Sequence, residues 1–261
     1  MSDRVALIAL VFASSCVTAD VVPMDVVRDL APTGKLRAAI NFGNPVLAQK
    51  DPASGQPRGV SVDLAREVAR RADVPLEIVP YDAAGKVTGD ATNNRWDIAF
   101  VGREPERAKD IEFSAPYVII EGGYLVPASS SFQAVEDVDR EGVRIAVSRG
   151  SAYDLFLSRG YLKRGTLVRA PSPPASMDVF ANEKLEAVAG VKAALATYAG
   201  THPGYRVLPG RFMVIEQAVA LPKGRPLAAR YLREFVDEMK ASGFVATSLE
   251  KSGQKEAAVA P

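Results

Sequence analysis

Charged side chains with the spacing of an anion clamp follow a strongly apolar segment in the first half of the chain. Asp97-Ile-Ala-Phe-Val101 has the composition of a buried strand, and two arginines and two glutamates follow it within residues 103–107. Open α/β sheets hold their ligands just beyond the carboxyl ends of their strands. A guanidinium at that place can form two parallel hydrogen bonds with a carboxylate, roughly twice as strong as neutral ones. The alternative is a solvated loop in which Arg107 makes a surface salt bridge with Glu104 or Asp110.

Composition argues against several other kinds of site. The 261 residues contain 32 Lys+Arg and 31 Asp+Glu, a net charge of +1. This near balance gives no general electrostatic case for binding nucleic acid or an anionic membrane. A single cysteine and a single histidine exclude a disulfide framework and a Cys/His metal site. We therefore expect neither a metal nor a cofactor.

The amino terminus has the pattern of a secretory signal peptide over residues 1–19. Arg4 precedes the apolar run Val5–Ala13, and Val17-Thr-Ala19 forms a small-residue cleavage site. The apolar run is too short to span a membrane. The pattern predicts export to the periplasm, the alternatives being a buried N-terminal segment or a lipoprotein anchored through Cys16.

Two alternations of β-rich and helical segments fill the rest of the chain. In the first, strands over 35–41, 75–81 and 96–102 accompany an amphipathic helix over 60–73. In the second, strands over 143–148, 166–171, 186–190 and 205–210 alternate with helices over 151–160, 174–185 and 192–198. Such alternation implies parallel sheets with crossover helices. A long amphipathic helix over 226–243 follows.

Two extended apolar segments, 117–130 and 212–224, flank the second alternation. A chain that crosses twice between two lobes needs two such connections. We therefore predict an α/β fold of two lobes with two crossover strands and a ligand cleft between them. The predicted bounds are 20–125 and 214–253 for lobe 1, 126–213 for lobe 2, and a disordered tail over 254–261.

Several ordered motifs resemble those of the family 3 extracellular solute-binding proteins, the periplasmic receptors of polar amino acid ABC importers. They are GKLRAAINFGNP, PRGVSVDLAREVARRADVPLEIVPYD, WDIAFVGREPERAKDIEFSAPY and GVRIAVSRGSAYD. The resemblance covers roughly residues 34–250. It implies a type II periplasmic-binding-protein fold, the Venus flytrap, whose lobes close on a small ligand that a permease then receives.

The resemblance also assigns site residues. Arg107 falls at the position where family members have an arginine that forms two hydrogen bonds with the ligand's α-carboxylate. Ser151 and Ala152 fall in the anion-facing loop of the second lobe, where Ser151 is also a natural helix N-cap. Asn41 and Asn44 would supply neutral hydrogen bonds or only shape their loop. Gln217, on the returning crossover, is a further expected ligand contact.

Five positions depart from the family pattern. Gly102 stands where a small hydroxyl residue is usual, and Phe100 where glycine or serine is usual. Asn44 and Ala83 stand where an aromatic platform is frequent. Val191 replaces the aspartate that takes the ligand's α-ammonium, and a buried ammonium without a carboxylate costs several kcal/mol. An ordinary amino-acid pose would need another acid, such as Glu216.

These residues predict the binding component of an importer for a small carboxylate-bearing solute, either an amino acid or a related organic acid. The expected partners are this ligand and the membrane subunits of an ABC permease, with no nucleic acid, and the expected state is a monomer. The alternative is a periplasmic lyase or dehydratase on the same fold, with Glu104 or Glu106 as acid or base. No nucleophile–base pair stands out in the sequence, and we therefore expect no enzymatic activity.

Overall fold

The computed structural model describes residues 22–261 as a mixed sheet with flanking helices. The predicted signal peptide up to residue 19 and Cys16 lie outside the described residues. The strands are β1 Leu36–Asn41, β2 Gln49–Lys50, β3 Pro57–Arg58, β4 Leu76–Tyr81, β5 Ile98–Gly102, β6 Ile111–Pro127, β7 Arg144–Ser148, β8 Thr166–Ala170, β9 Ala187–Val191, β10 Tyr205–Val207, β11 Met213–Pro222 and β12 Ala258–Val259. The helices are α1 Met24–Leu30, α2 Val60–Arg71, α3 Ala84–Gly89, α4 Ala152–Phe156, α5 Pro173–Asn182, α6 Lys192–Thr201, α7 Pro226–Ala241 and α8 Phe244–Lys251.

Strand pairing divides the sheet into two parallel halves joined by antiparallel strands. The order is β4-β1-β5-β11-β6-β9-β7-β8, with β10 and β12 also paired to β6. Strand β1 pairs in parallel with β4 and β5, and β7 pairs in parallel with β8 and β9. This arrangement confirms the predicted α/β fold with two parallel units.

The two long antiparallel strands β6 and β11 connect the lobes. β11 pairs with β5 of the first lobe, while the β6 segment from Gly122 to Leu125 pairs with β9 of the second. As a result, the carboxyl ends of β1 and β5 face those of β7 and β9. Asn41, Gly102, Ser148 and Val191 are the last residues of these strands, and this meeting of strand ends is where the fold places a ligand.

Burial follows the predicted patterns. Every residue of β5 is buried, as expected for a strand covered on both faces. Helix α2 buries its apolar face, which includes Val62, Leu64 and Val68. Helix α7 ends at Ala241, and Gly243 beyond it adopts a left-handed conformation with φ of 78°, which favours glycine after a helix. None of the helices within residues 22–261 is long and apolar enough to cross a membrane.

The carboxyl-terminal tail corrects one prediction. Residues 254–261 were expected to be disordered, but Ala258–Val259 form β12 and pair with β6. Ala260 is buried, and its backbone N–H donates to the carbonyl of Tyr117 at 3.1 Å. A β6 edge that would otherwise lack a partner supplies these hydrogen bonds. The disorder prediction is therefore wrong, because the tail gains its order from a distant strand and not from its own composition.

Candidate functional site

A small cavity of about 40 Å³ lies at the meeting point of the strand ends. Eight of the nine predicted site residues line it, from both lobes. They are Asn41, Asn44, Gly102, Arg107, Ser151, Ala152, Val191 and Gln217. Seven further residues complete the lining: Gly43, Ala84, Val101, Ser148, Tyr153, Pro173 and Ile215.

Phe100 is the predicted site residue that does not line this cavity. Its side chain is buried in the hydrophobic core. Its ring meets that of Tyr117 edge to face, with centroids 6.1 Å apart and an interplanar angle of 85°. Phe100 therefore packs beneath the site in this structure, in an arrangement typical of aromatic pairs in protein cores.

Arg107 lies at the centre of the site as a buried cation. Its Nη1 donates to the carbonyl of Gly102 at 2.7 Å, and its Nη2 donates to the carbonyl of Gly150 at 2.8 Å. Its Nε has no hydrogen-bond partner among the described residues. Burial lowers the pKa of Arg107 to about 10, so the side chain stays charged at neutral pH. Because only 5% of the residue is exposed, a solvated surface salt bridge does not describe it.

The two nearby glutamates pair with a different arginine. Glu104 and Glu106, which follow β5 in the first lobe, both accept from Nη1 of Arg159 in the second, at 2.6 Å for Glu106. Burial raises the pKa of Glu104, and the charge of Arg159 opposes that rise. These pairs join the lobes beside the cavity and leave Arg107 to face it.

Hydroxyl groups from the second lobe line the opposite wall. The Oγ of Ser151 accepts from the backbone N–H of Asp154 at 3.0 Å and so caps α4. The buried hydroxyl of Tyr153 interacts with the Ser148 and Ser151 side chains, and burial raises its pKa to about 12. Tyr153 therefore remains protonated and can donate a hydrogen bond at neutral pH.

Tyr153 was missed in the sequence, although a signal was present. It stands two positions after the cap residue Ser151. Helical side chains tilt toward the amino terminus of their helix, so a large residue at that position reaches back over the turn that precedes it. A ligand bound at the start of α4 would therefore contact Tyr153.

Amide side chains supply the neutral part of the lining. The Oδ1 of Asn41 accepts from the N–H of Gly43 at 3.0 Å, and the Oδ1 of Asn44 accepts from Val46 at 3.3 Å. Both residues therefore shape the loop after β1 and keep their NH₂ groups for other acceptors. Gln217, 5% exposed, lies opposite Gly102 on the neighbouring strand β11.

No aspartate or glutamate belongs to the described lining of this cavity. Val191 occupies the end of β9, where the sequence comparison expects an aspartate. Glu216, considered as a substitute, is half exposed and pairs with Arg103 at 3.2 Å. Lys192 also turns away, because its Nζ binds Glu121 at 3.2 Å. The polar groups that face the cavity are therefore one cation and several neutral hydrogen-bonding groups.

The neighbouring side chain of Ile215 leaves no room for a Cβ at position 102. A Cβ on Gly102 would lie 2.8 Å from Cγ2 of Ile215 and 3.4 Å from Cβ of Ala152. Cγ2 belongs to a stiff, buried β-branched side chain. The hydroxyl residue that the family resemblance implies at this position would thus meet a fixed methyl group of Ile215.

Comparisons with known proteins agree with this architecture. The family model for bacterial extracellular solute-binding proteins, family 3, matches residues 36–255. A mutant of ArgBP from T. maritima superposes with a TM-score of 0.75 at 22% identity, over 88% of this chain and 100% of its own. The solute receptor for L-cysteine of Neisseria gonorrhoeae gives 0.76 at 21% identity, over 87% and 92%.

A third similar structure has a catalytic descendant. The ancestral amino acid-binding protein AncCDT-1, a precursor of cyclohexadienyl dehydratase, superposes with a TM-score of 0.72 at 21% identity, over 86% of this chain and 98% of its own. At these identities the structures establish a shared fold. The family model spans most of the chain, and the protein belongs to the bacterial extracellular solute-binding proteins of family 3.

Proposed function

We propose that this protein is the substrate-binding component of an ABC importer, and that it binds a small carboxylate between its lobes for delivery to a membrane permease. The observation that carries the proposal is the placement of Arg107. This buried cation has no acidic partner within the described residues and borders a cavity formed by both lobes. A buried charge is costly unless an opposite charge compensates it. A ligand carboxylate would supply that charge.

The hydrogen-bond donors of the site suit a carboxylate. A guanidinium has five N–H donors, of which Arg107 uses two on the carbonyls of Gly102 and Gly150. The remaining donors suit the two oxygens of a carboxylate. Ser151 and Tyr153 add hydroxyl groups on the facing wall. The ligand would thus bind groups from both lobes at once.

Binding would favour the closed arrangement of the lobes. The bond from Arg107 to Gly150 and the ion pairs of Arg159 with Glu104 and Glu106 both cross between lobes. A ligand that contacts both lobes binds the closed form better than an open one and shifts the population toward it. A permease can distinguish loaded from empty receptor by that difference in shape.

The place of action follows from the sequence and from the family. A signal peptide over residues 1–19 would export the protein to the periplasm, where a permease receives its ligand. Attachment through Cys16 would tether it to a membrane surface. A monomer suffices for this role, because each chain carries both walls of the site.

The catalytic alternative depends on Glu104 and Glu106, and the structure favours it less. Both carboxylates bind Arg159, and neither lines the small cavity. A general acid or base must reach the reacting proton directly or through one water. A lyase would convert its bound carboxylate, whereas a receptor returns it unchanged, so NMR analysis of the released ligand separates the two functions.

Replacement of Arg107 tests the proposal. A thermal-unfolding panel of amino acids, amines and organic acids first identifies ligands, since one present at a hundred times its Kd stabilises by about 2.7 kcal/mol. Arg107→Ala should then weaken carboxylate binding by about 2–5 kcal/mol in isothermal titration calorimetry. Arg103→Ala is the matched control, because Arg103 is nearly half exposed and pairs with Glu216. Equal affinities for Arg107→Ala and the native protein would refute the assignment.

A further inference from the structure

A second and larger cavity adjoins the small polar one. Its volume is about 380 Å³, and it lies between the loop after β1 and the helices α5 and α6 of the second lobe. Gly43, Tyr153, Pro173 and Val191 line both cavities. The two cavities therefore meet, and a ligand held by Arg107 can extend from one into the other.

The wall of the larger cavity is mostly apolar. Side chains from both lobes contribute to it, namely Phe42, Met177, Ala189, Ala194, Leu195 and Tyr198. Leu195 and Ala189 are buried, whereas Met177, Ala194 and Tyr198 are partly exposed. Such a lining, with few polar groups, is typical of sites for apolar parts of small molecules.

Apart from the phenol groups of Tyr153 and Tyr198, the polar side chains of this wall are Ser176 and Asp178. The Oγ of Ser176 donates to the carbonyl of Pro173 at 2.7 Å. Asp178 is exposed at the outer edge. A polar or charged ligand side chain placed here would lose its hydration and find few partners, which costs free energy.

We propose that the ligand is a carboxylate that bears an apolar substituent of about the size of an aromatic ring and has no α-ammonium group. The carboxylate binds at Arg107, and the substituent fills the larger cavity. The carboxylate half of this assignment rests on the proposed function. The apolar half rests on the second cavity, whose lining is independent of Arg107.

The sizes of the two cavities fit this division. The small cavity, at about 40 Å³, has room for a carboxylate and little more. An apolar cavity of about 150 Å³ is enough to hold benzene, and the larger cavity exceeds that volume. A ring or a branched alkyl group therefore fits in the second cavity and not in the first.

The junction between the cavities disfavours an ammonium group. Val191 lies there, and it is also the residue that precedes α6, which has no side-chain cap. The amino-terminal N–H groups of a helix carry partial positive charge. An ammonium on the carbon next to the carboxylate would meet this partial charge and an isopropyl group, with the Arg107 cation nearby. The site is thus built for an organic acid more than for a zwitterion.

Three probe ligands separate the two halves of the inference. Propionate, 3-phenylpropionate and L-phenylalanine differ in turn by a phenyl group and by an α-ammonium group. Burial of a phenyl ring is expected to tighten binding by roughly tenfold to a hundredfold. We therefore expect 3-phenylpropionate to bind the full chain at least tenfold tighter than propionate and also tighter than L-phenylalanine, as measured by isothermal titration calorimetry.

Two variants of α6 locate the substituent. Ala194 lines the cavity, so Ala194→Phe should fill it and weaken 3-phenylpropionate binding at least tenfold more than propionate binding. Ala196 lies on the same helix with its side chain exposed. The control Ala196→Phe should leave both affinities unchanged and shows whether a new aromatic residue on α6 alters binding by itself.

A third variant tests the junction. Val191→Asp places a carboxylate at the junction, and it should raise the affinity for L-phenylalanine relative to 3-phenylpropionate by at least tenfold. The far-UV circular dichroism spectrum shows whether the variant is folded. An unchanged ratio of the two affinities in a folded variant would contradict the role given to Val191.

The outcomes distinguish failure of this inference from failure of the proposed function. If propionate and 3-phenylpropionate bind equally well, and both lose affinity in Arg107→Ala, the apolar assignment is overturned and the carboxylate receptor stands. Tighter binding of a polar amino acid such as L-arginine than of 3-phenylpropionate overturns it likewise. If 3-phenylpropionate binds with the same affinity in Arg107→Ala, or if no carboxylate binds, the proposed function fails as well.

Discussion

The two lobes meet at two facing glycines, and the role of this contact in the proposed closure can be tested. Gly85, near the start of α3 in the first lobe, faces Arg149 and Gly150 of the second lobe. A Cβ on Gly85 would lie 2.4 Å from the carbonyl oxygen of Arg149 and 3.1 Å from Cα of Gly150. In the reverse direction, a Cβ on Gly150 would lie 2.9 Å from Cα of Gly85. Both sides of the contact are backbone, so no side-chain rotation relieves it.

Gly85→Ala should therefore oppose closure without disturbing either lobe. The new methyl group needs about 1 Å more room to reach an ordinary contact distance, and overpacking of this kind costs roughly 1–3 kcal/mol. An open form has no such conflict, because Gly85 and the backbone of Arg149 and Gly150 are then apart. The cost thus falls on ligand binding and predicts a loss of affinity of about fivefold to 150-fold.

Gly89→Ala is the matched control, because Gly89 ends the same helix and a Cβ there meets nothing within 4 Å. We expect native affinity for Gly89→Ala and weaker binding for Gly85→Ala in titration calorimetry with 3-phenylpropionate, or with the best ligand of the panel. Small-angle X-ray scattering should also show a larger radius of gyration for liganded Gly85→Ala. If both variants bind as the native protein does, the lobes do not close through this contact, and the reasoning is refuted.

Three further predictions concern charge and packing. Arg159→Ala leaves Glu104 buried without its partner in the closed form. Ligand binding should therefore weaken by about 1–3 kcal/mol. This loss of affinity should become smaller at acid pH, because Glu104 is then protonated. Gly102→Ser should destabilise folding by about 1–3 kcal/mol through its clash with Ile215, and combination with Ile215→Ala should cost less than the sum of the two single changes in urea denaturation. Two arginines lower the pKa of Glu67 to about 2, so its stabilising contribution is present above pH 4.5 and is lost as the pH falls toward 2. Glu67→Gln should therefore cost about 1–3 kcal/mol at pH 7 and little at pH 2 in chemical denaturation; a pH-independent cost would contradict this account.

The sequence predicted those parts of the molecule that local patterns determine. The strands that carry Asn41, Gly102 and Val191 at their ends are short apolar runs that alternate with helical segments, and parallel pairing brings their ends together. Arg107 and Ser151 lie far apart along the chain, yet this topology places both at the cleft. The fold thereby explains why residues chosen by motif line one cavity.

The features that the sequence did not predict depend on tertiary contacts. Phe100 falls on a site position by motif, but packing against Tyr117 places its ring in the core. The tail forms β12 only because an edge of β6 is available to it. The apolar cavity arises between Phe42 of one lobe and Leu195 of the other, residues more than 150 positions apart. No pattern along the sequence indicates that such residues meet.

The distribution of charge supports the proposed preference for an organic acid over an amino acid. Glu104, Glu106, Glu121 and Glu216 all bind basic partners outside the small cavity, so Arg107 is the charged side chain in its described lining. An ammonium about 5 Å from a guanidinium is repelled by about 3 kcal/mol at an effective dielectric constant of about 20. A zwitterion would gain the carboxylate–arginine attraction and lose much of it to this repulsion. An organic acid keeps the full attraction, and its apolar part adds the burial that the second cavity offers.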